Sequence, residues 1–435
     1  MKILFSRSLT LLLVLSITQL TQAQKKVLGY KFQFATKSTS LAPKNHGVHV
    51  NANNYNSNAA FVIHDNEHAD YVLVDSFFKV ITKISLPANQ TVFYYESTDE
   101  NKLNYIGSTA NGNTFSFVYQ NSDNKILDGK ECYDIWVETV YFGSKQVIQK
   151  QPLKIPTSER IIKIISENSN FYFITAIDAT STIKVYKLSG AGTISEKEIK
   201  VLGLKDAEKN MQWFSSKQEV SFLIPGTDHA QMTSVNTLDL GVTSKQIDFQ
   251  SIEGSNKKPD VFELDNKIFV LQVGTDKIVV SIFSTDGKFL NKLDLDENSY
   301  PRIAGNSGIT VTHRGSNSVD KSIDDLAAML KTLKNKNSTI SVERTKSNQY
   351  LVSIGKYDES NEGYSATSFR FLIDPQSLKP VKGNAPETSF LQVKDFVTET
   401  PHKMLNQFEF YNKQFLGFYE NDDEAYYFQS IPIRK

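Results

Sequence analysis

The stretch that decides the fold is LDNKIFVLQVG, residues 264–274, in which a polar turn leads directly into a run with almost no hydrophilic residues. A short apolar run bounded by turn residues is typical of a strand buried on both faces of its sheet. Asp265 and Asn266 precede the run, and Asn tolerates the left-handed backbone angles that tight turns use. The stretch therefore predicts a tight turn followed by a buried strand.

The same combination of turn and buried run recurs along the chain. The seven occurrences are SNAAFVIHD (57–65), GNTFSFVYQ (112–120), SNFYFITAI (169–177), KQEVSFLIPG (217–226), DNKIFVLQVG (265–274), SNQYLVSIGKY (347–357) and NKQFLGFYEN (412–421). In six of them an Asn stands at the turn: Asn58, Asn113, Asn170, Asn266, Asn348 and Asn412. Successive runs begin about 48 to 82 residues apart, which indicates a repeat array with the period of propeller blades.

Each buried run is followed by further strand signals in a constant order. Hairpin turns are predicted at Gly143-Ser144, at Asp286-Gly287 and at Asp374-Pro375, each between apolar stretches. The repeating unit is thus a continuous inner strand, an alternating middle strand, a tight turn and a more polar outer strand. One such sheet cannot bury both of its faces, whereas sheets stacked around an axis can.

Two of the hairpins carry a resemblance to known families. IFSTDGKFLNKL (282–293) resembles the hairpin of NHL-type and related six-bladed propellers, and FLIDPQSLKPV (371–381) resembles that of secreted bacterial propellers. The resemblance implies an all-β fold, a β-propeller of about seven four-stranded blades over residues 55–435. Residues 24–54 then form an N-terminal segment whose VLGYKFQF (27–34) would supply a ring-closing strand. The alternative is an N-terminal β-sandwich to about residue 155, followed by a smaller propeller.

One inserted segment, residues 318–338, breaks the β pattern. Ile323, Leu326, Leu330 and Leu333 recur at helical spacing, and Ser322 with Asp325 has the pattern of a capping box. The sequence predicts an amphipathic helix over 322–336. We expect this helix either to shield a blade edge or to act as a lid or partner-docking element.

The first 23 residues predict export. Lys2 and Arg7 precede the apolar stretch 9–17, and a small-residue cleavage site ends at Ala23. Removal of this signal peptide leaves two more acidic than basic residues, so the mature chain lacks the basic field that nucleic-acid binding needs. Without a later membrane-spanning run, the protein is expected to be periplasmic or extracellular.

Candidate chemistry is sparse. His64 and Asp65, in the HDNEH loop, and His313 with Arg314, at a strand end, are the candidate ligand-facing residues. The acidic turns 294–297 and 422–424 lack EF-hand spacing, and the single cysteine, Cys132, excludes a multi-cysteine metal site. No cofactor, metal or catalytic residue is predicted.

Two functions follow from this pattern. The first is a secreted, non-catalytic binding or scaffolding module for a protein, peptide or glycan, because the repeats are regular and no catalytic motif is present. The alternative is an extracellular polysaccharide hydrolase or lyase, whose carboxylates would come together from several blades at a central channel. Clustered Asp, Glu, His and Arg side chains at the inner strands would favour the enzyme.

Overall fold

A computed structural model gives the structure of the chain. It describes residues 26–31, 47–53, 58–64, 68–91, 103–121, 125–127, 130–167, 170–189, 192–208, 211–216, 218–250, 252–253, 255, 259–299, 309–315, 319–323, 326–334, 338–360, 363–399, 404–410, 413–420, 425–431 and 433. The predicted signal peptide lies outside these residues. Among the described helices, none has the length and apolar character needed to span a bilayer.

Strands dominate the described part of the chain. In chain order they are β1 (Lys26–Lys31), β2 (Gly47–Asn53), β3 (Asn58–His64), β4 (His68–Val74), β5 (Val80–Pro87), β6 (Leu103–Asn111), β7 (Thr114–Asn121), β8 (Lys125–Leu127), β9 (Lys130–Tyr141), β10 (Gln146–Pro156), β11 (Arg160–Glu167), β12 (Asn170–Ile177), β13 (Thr182–Ser189), β14 (Ile194–Lys200), β15 (Gln212–Ser215), β16 (Glu219–Pro225), β17 (His229–Asn236), β18 (Val242–Asp248), β19 (Asp260–Leu264), β20 (Lys267–Val273), β21 (Ile278–Ser284), β22 (Phe289–Leu295), β23 (Ile309–Gly315), β24 (Val319–Ile323), β25 (Thr339–Arg344), β26 (Tyr350–Ser360), β27 (Gly363–Ile373), β28 (Pro380–Val381), β29 (Met404–Phe410), β30 (Lys413–Glu420) and β31 (Ala425–Ile431). The helices are α1 (Leu204–Ala207), α2 (Leu326–Lys334) and α3 (Ser389–Glu399), and 3-10 turns span Ala88–Gln90 and Asp178–Thr180.

These strands form seven antiparallel sheets, numbered here I to VII. Sheet I is β2-β3-β4-β5, sheet II is β6-β7-β9-β10 with β8 on β9, and sheet III is β11-β12-β13-β14. Sheets IV and V are β15-β16-β17-β18 and β19-β20-β21-β22. Sheet VI is β25-β26-β27-β23-β24 with β28 also on β27, and sheet VII is β29-β30-β31-β1. The fold class predicted from the sequence, an all-β propeller, is confirmed.

All seven buried runs occupy the same place in their sheets. Each is the second strand: β3, β7, β12, β16, β20, β26 and β30. The prediction that the run is the innermost strand is wrong, because another strand precedes it in every sheet. A second strand is hydrogen-bonded on both edges and covered on both faces, which explains why its sequence has so few polar residues.

The chain divides into two compact units. Unit 1 is Met1–Lys200 with Thr400–Ile433, and unit 2 is Val201–Glu399 with Arg434–Lys435. Within unit 1, β2 contacts both β29 and β6, and β6 contacts β11. Within unit 2, β19 contacts both β15 and β25. In each unit, therefore, the first strands of successive sheets lie side by side, as they do around a propeller axis.

Sheet II shows why the first sheets do not form a separate sandwich. On one face Phe115 and Phe117 pack against Tyr71 of sheet I. On the other face Val118 and Ile135 pack against sheet III. A two-layer sandwich would leave one of these faces to solvent. Sheet II is instead the middle layer of a stack, so the sandwich alternative is wrong.

The first strand of the chain completes the last sheet. β1 pairs antiparallel with β31, with Tyr30 opposite Tyr426, so the outermost strand of sheet VII comes from the other end of the sequence. β1 lies within the N-terminal segment and overlaps the stretch 27–34. Residues 32–34 are outside the described part of the chain.

A hairpin and a helix lie between sheet V and β25, the first strand of sheet VI. β23 and β24 pair with each other, and β23 extends the sheet along the first half of β27. Ser322 pairs with Thr310 and Ile323 with Ile309 within this hairpin, so the predicted capping box at Ser322 is wrong, and the described helix spans Leu326–Lys334. Pairing of β24 with β23 has overridden the local helical signal.

Helix α2 is part of the core of unit 2. Leu326, Met329, Leu330 and Leu333 are each at most 5% exposed and join a cluster formed by sheets V and VI. The structure therefore fits a helix packed over the sheets better than a lid or a partner-docking element. Its apolar spacing was visible in the sequence, but its partner sheets were not.

Candidate functional site

His64 lies at the end of a buried strand. It is the last residue of β3, it is 4% exposed, and Ala69 of β4 is opposite to it. The sequence placed it in a solvated loop, but the covering of β3 on both faces extends to its final residue. Asp65 lies outside the described residues. That His64 or Asp65 meets a ligand stays a prediction.

His313 and Arg314 lie in β23, where they are paired with Ser365 and Tyr364 of β27. If a ligand binds at the central channel, the order of the strands conflicts with the expectation that these two residues face it. Two strands, β27 and β26, separate β23 from β25, the first strand of the sheet. Contact of these two residues with a ligand also stays a prediction.

The first strands of sheets V and VI, β19 and β25, carry carboxyl groups whose pKa is raised by burial or whose oxygens are held by hydrogen bonds. Asp260, at the start of β19, accepts a hydrogen bond at 2.7 Å from the backbone N–H of Ile340 in β25. Burial raises the pKa of Asp260 to about 6, although that hydrogen bond acts in the opposite direction. A carboxyl group that holds its proton near neutral pH is what a general acid requires. Asp260 is therefore a candidate general acid on β19.

The second carboxylate of β19 points away from the first. Residues three apart on a strand lie on opposite faces and about 10 Å apart along it. Asp260 reaches sheet VI, whereas Glu263 shares the side of Val261, which packs against sheet IV. Glu263 accepts the backbone N–H of Asn266 at 3.0 Å, and burial raises its pKa. The two groups cannot flank a single scissile bond.

A third carboxylate, Glu343 of β25, holds the start of helix α3. Its two oxygens each lie 3.0 Å from the backbone nitrogen of Ser389, and Oε2 accepts the Ser389 hydroxyl at 2.6 Å. An anion at a helix N-terminus is stabilised by the unpaired N–H groups and the helix dipole. Glu343 is thus occupied by a structural contact.

The turns at one end of sheets V and VI are joined by a charged cluster. The Asp265 carboxylate accepts hydrogen bonds from the Tyr350 hydroxyl at 2.8 Å and from Arg344 Nε at 3.2 Å. Burial would raise the pKa of Asp265, but the bonds from Arg344 and Tyr350 outweigh it and the pKa is lowered. Burial, with help from Asp265, raises the pKa of Tyr350 to about 12. This cluster ties two turns together and leaves no proton donor near neutral pH.

Sheet III contains a buried polar network that the sequence did not reveal. Glu159, 5% exposed in the turn after β10, accepts hydrogen bonds from the hydroxyls of Thr175 and Tyr186, both at 2.8 Å. Lys184 Nζ lies 3.9 Å from the other carboxylate oxygen. The partners are 16 to 27 positions from Glu159 in the sequence, so no local motif could have indicated them.

Metal ligation finds no support in the described part of the chain, where no three His, Cys, Asp or Glu side chains form a possible metal site. Asp296, from one of the acidic turns, instead accepts the backbone N–H groups of Asn298 and Ser299 and so caps its own turn. Cys132 is a buried residue of β9.

Comparisons with known proteins show similarity of fold only. No family model matches the chain. No curated protein matches it either. Among solved structures, the WD40 domain of SCAP from fission yeast is 10% identical with a TM-score of 0.36, over 90% of this chain and 82% of that one. A GH43 β-1,3-galactosidase is 10% identical with a TM-score of 0.28, over 76% and 72%. A prolyl endopeptidase is 11% identical with a TM-score of 0.38, over 81% of this chain but only 44% of that enzyme. Scores this low carry no conclusion about activity.

Proposed function

We propose that the protein is an exported, non-catalytic β-propeller that binds or scaffolds a protein, peptide or glycan. The observation that supports this is the position and the hydrogen bonding of the carboxylates on β19 and β25, the first strands of sheets V and VI. Asp260 and Glu263 face opposite sides of β19, and Glu343 is held by the start of α3. A hydrolase of the two-carboxylate type needs two such groups about 5 to 10 Å apart on one substrate.

Export to the periplasm or the extracellular space is supported by the N-terminal sequence alone. Lys2, Arg7 and the apolar stretch before Ala23 have the organisation of a signal peptide. Expression with this leader should release a mature protein that begins at Gln24, and N-terminal sequencing of the released fraction tests it. Recovery of the intact N-terminus inside the cell would contradict export.

Catalysis and binding can be separated in one experiment. Soluble polysaccharides are cast into native gels, and any polysaccharide that retards the protein is then incubated with it while new reducing ends are measured. We expect retardation without release of reducing ends or of unsaturated products. The variant D260N should bind as the wild type does, because Asn keeps the oxygen that accepts the N–H of Ile340.

A polysaccharide hydrolase or lyase is the second candidate, and one observation favours it. The pKa of Asp260 is raised to about 6, which suits a general acid near neutral pH. If Asp260 has this role, D260N should abolish a measurable release of reducing ends or unsaturated products. Activity that is lost in D260N would replace the non-catalytic proposal.

A further inference from the structure

Helix α3 carries a surface that the propeller repeat does not require. Leu391 of this helix packs on Tyr364 and Ala366 of β27. Phe390, one residue earlier, is turned outwards and is 50% exposed. We use the name Phe390 platform for Tyr357, Glu359, Phe390 and Lys394, which lie together where α3 crosses the β26–β27 hairpin.

Two aromatic rings form the apolar part of the platform. The ring of Phe390 stands nearly perpendicular to that of Tyr357, at 79° with the centroids 5.0 Å apart. This edge-to-face contact fixes the orientation of the exposed ring. Phe390 is therefore a rigid apolar surface presented to solvent.

A charged pair borders both rings. Lys394 Nζ lies 5.7 Å from the centroid of Tyr357 and 5.9 Å from that of Phe390. The same nitrogen is 3.2 and 3.3 Å from the two oxygens of Glu359, which is itself well exposed. An ammonium group has three donors and a carboxylate has about four acceptor positions. Donors and acceptors thus remain for a ligand beside the apolar ring.

We propose that the Phe390 platform binds a neutral glycan. One face of a pyranose ring is made of C–H groups and fits the exposed ring of Phe390, while the hydroxyl groups at its rim meet Lys394 and Glu359. The ligand is expected to be uncharged because Glu359 neutralises Lys394. Asp395, on the same helix, accepts the hydroxyl of Tyr364 of β27 and adds a negative charge that disfavours uronic acids.

An apolar peptide side chain fits this surface less well. Such a side chain would remove water from the Lys394–Glu359 pair without replacing its hydrogen bonds, and desolvating an ion pair is costly. Sugar hydroxyls replace that water with equivalent hydrogen bonds. This inference rests on the proposed binding function, to which it adds the ligand class and the location.

Calorimetric titration with defined oligosaccharides tests the proposal. The neutral probes are cellohexaose, maltohexaose, laminarihexaose and mannohexaose, and the charged probe is hexagalacturonate. We expect at least one neutral probe to bind with a Kd below about 5 mM, and F390A to weaken that binding at least about fivefold. F289A is the matched control, because Phe289 on β22 is 56% exposed and belongs to another hairpin. The control should bind as the wild type does.

The other possible results bear separately on the site, the ligand class and the non-catalytic function. Should F390A fail to fold, K394Q and Y357A replace it, with at least about a threefold loss expected for each. Neutral-glycan binding that none of these variants weakens would overturn the site and leave the proposed function standing. Binding of hexagalacturonate in preference to the neutral probes, or of no probe at all, would overturn the ligand class. Only release of reducing ends or unsaturated products from a bound probe would overturn the non-catalytic function.

Discussion

At the scale of single residues, buried charges are the most sensitive points of this fold. Glu159 is almost completely covered, yet both of its oxygens have polar neighbours in Thr175, Tyr186 and Lys184. Removing one partner of such a network leaves the others without their hydrogen bonds in a place that water reaches poorly. The residues that hold the chain together here are therefore polar as well as apolar.

Replacing Glu159 by Ala should destabilise the protein by about 2 to 4 kcal/mol, because two hydroxyl groups and an ammonium group lose their common acceptor. Glu159→Gln should cost less, since the amide oxygen still accepts one hydroxyl. Urea unfolding measures both. Asp228→Ala removes an exposed pair with His229 and is the control. An equally large loss of stability in this variant would contradict the structural role assigned to Glu159.

The carboxyl of Asp260 predicts a particular dependence of stability on pH. Its pKa is about 6 in the folded protein and near 3.8 when unfolded, so its contribution is complete below about pH 4 and is lost as the pH rises through 6. The free energy of unfolding of the wild type, relative to Asp260→Asn, should fall by roughly 3 kcal/mol over this window. Urea unfolding at both ends of the window tests it. A difference that rises with pH would show that the sign is wrong.

At the scale of elements, three of the described hairpins, β4–β5, β17–β18 and β27–β28, share a turn that buries a large residue in an unfavourable conformation. Phe78, Leu240 and Leu378 have φ values of 60°, 59° and 55°, and each is 5% exposed. Polar residues organise these turns, as when Asp75 Oδ1 accepts the N–H groups of Phe77 and Lys79 at 2.9 Å. Left-handed angles cost a residue with a side chain about 1 to 2 kcal/mol. Packing outweighs that cost: the ring of Phe78 lies 4.7 Å from that of Phe415 in sheet VII.

At this turn we expect the Gly variant to be more stable than the Ala variant, which is the reverse of the usual order of stability. Phe78→Ala should cost about 3 to 5 kcal/mol through lost packing, and Phe78→Gly about 1 kcal/mol less, because Gly adopts the left-handed angles freely. At Phe117, inside strand β7, Gly should instead be worse than Ala. Thermal unfolding of the four variants gives the comparison. If the Ala variant were more stable than the Gly variant at both positions, this would contradict the cost assigned to the left-handed backbone at Phe78.

Helix α2 is expected to be essential for the stability of unit 2. Met329 and Leu333 are fully buried between sheets V and VI, so either residue changed to Ala should cost about 2 to 5 kcal/mol. Lys331→Ala, on the exposed side of the same helix, should change the stability by less than about 0.5 kcal/mol. Chemical denaturation distinguishes them. Full stability after loss of Met329 would restore the interpretation of a lid or partner-docking element.

At the scale of the whole molecule, the two ends of the sequence meet in one sheet. β1 is joined to the rest of sheet VII only through β31 among the described strands. The edge of β31 would otherwise expose a row of unpaired backbone groups. The N-terminal strand thus contributes to the fold out of proportion to its length.

Relative to the chain that begins at Gln24, truncation to begin at residue 32 should therefore destabilise the protein by about 2 to 5 kcal/mol, since several ladder hydrogen bonds are lost at once. Truncation to begin at residue 26 removes no described strand and serves as the control. Differential scanning calorimetry compares the two with the chain that begins at Gln24. Equal midpoints for both truncations would mean that β1 adds nothing to stability.

The sequence by itself determined the repeating part of this protein. Seven runs such as 264–274 identified the second strand of each sheet, because a strand covered on both faces must be apolar along its whole length. Turn residues also located the hairpins, as the left-handed Asn266 and Asn348 show. Only the tertiary structure decided the rest. The pairing of β23 with β27 and the partners of Glu159 and Asp260 depend on contacts between segments far apart in the sequence, and such contacts leave no periodic trace in the local sequence.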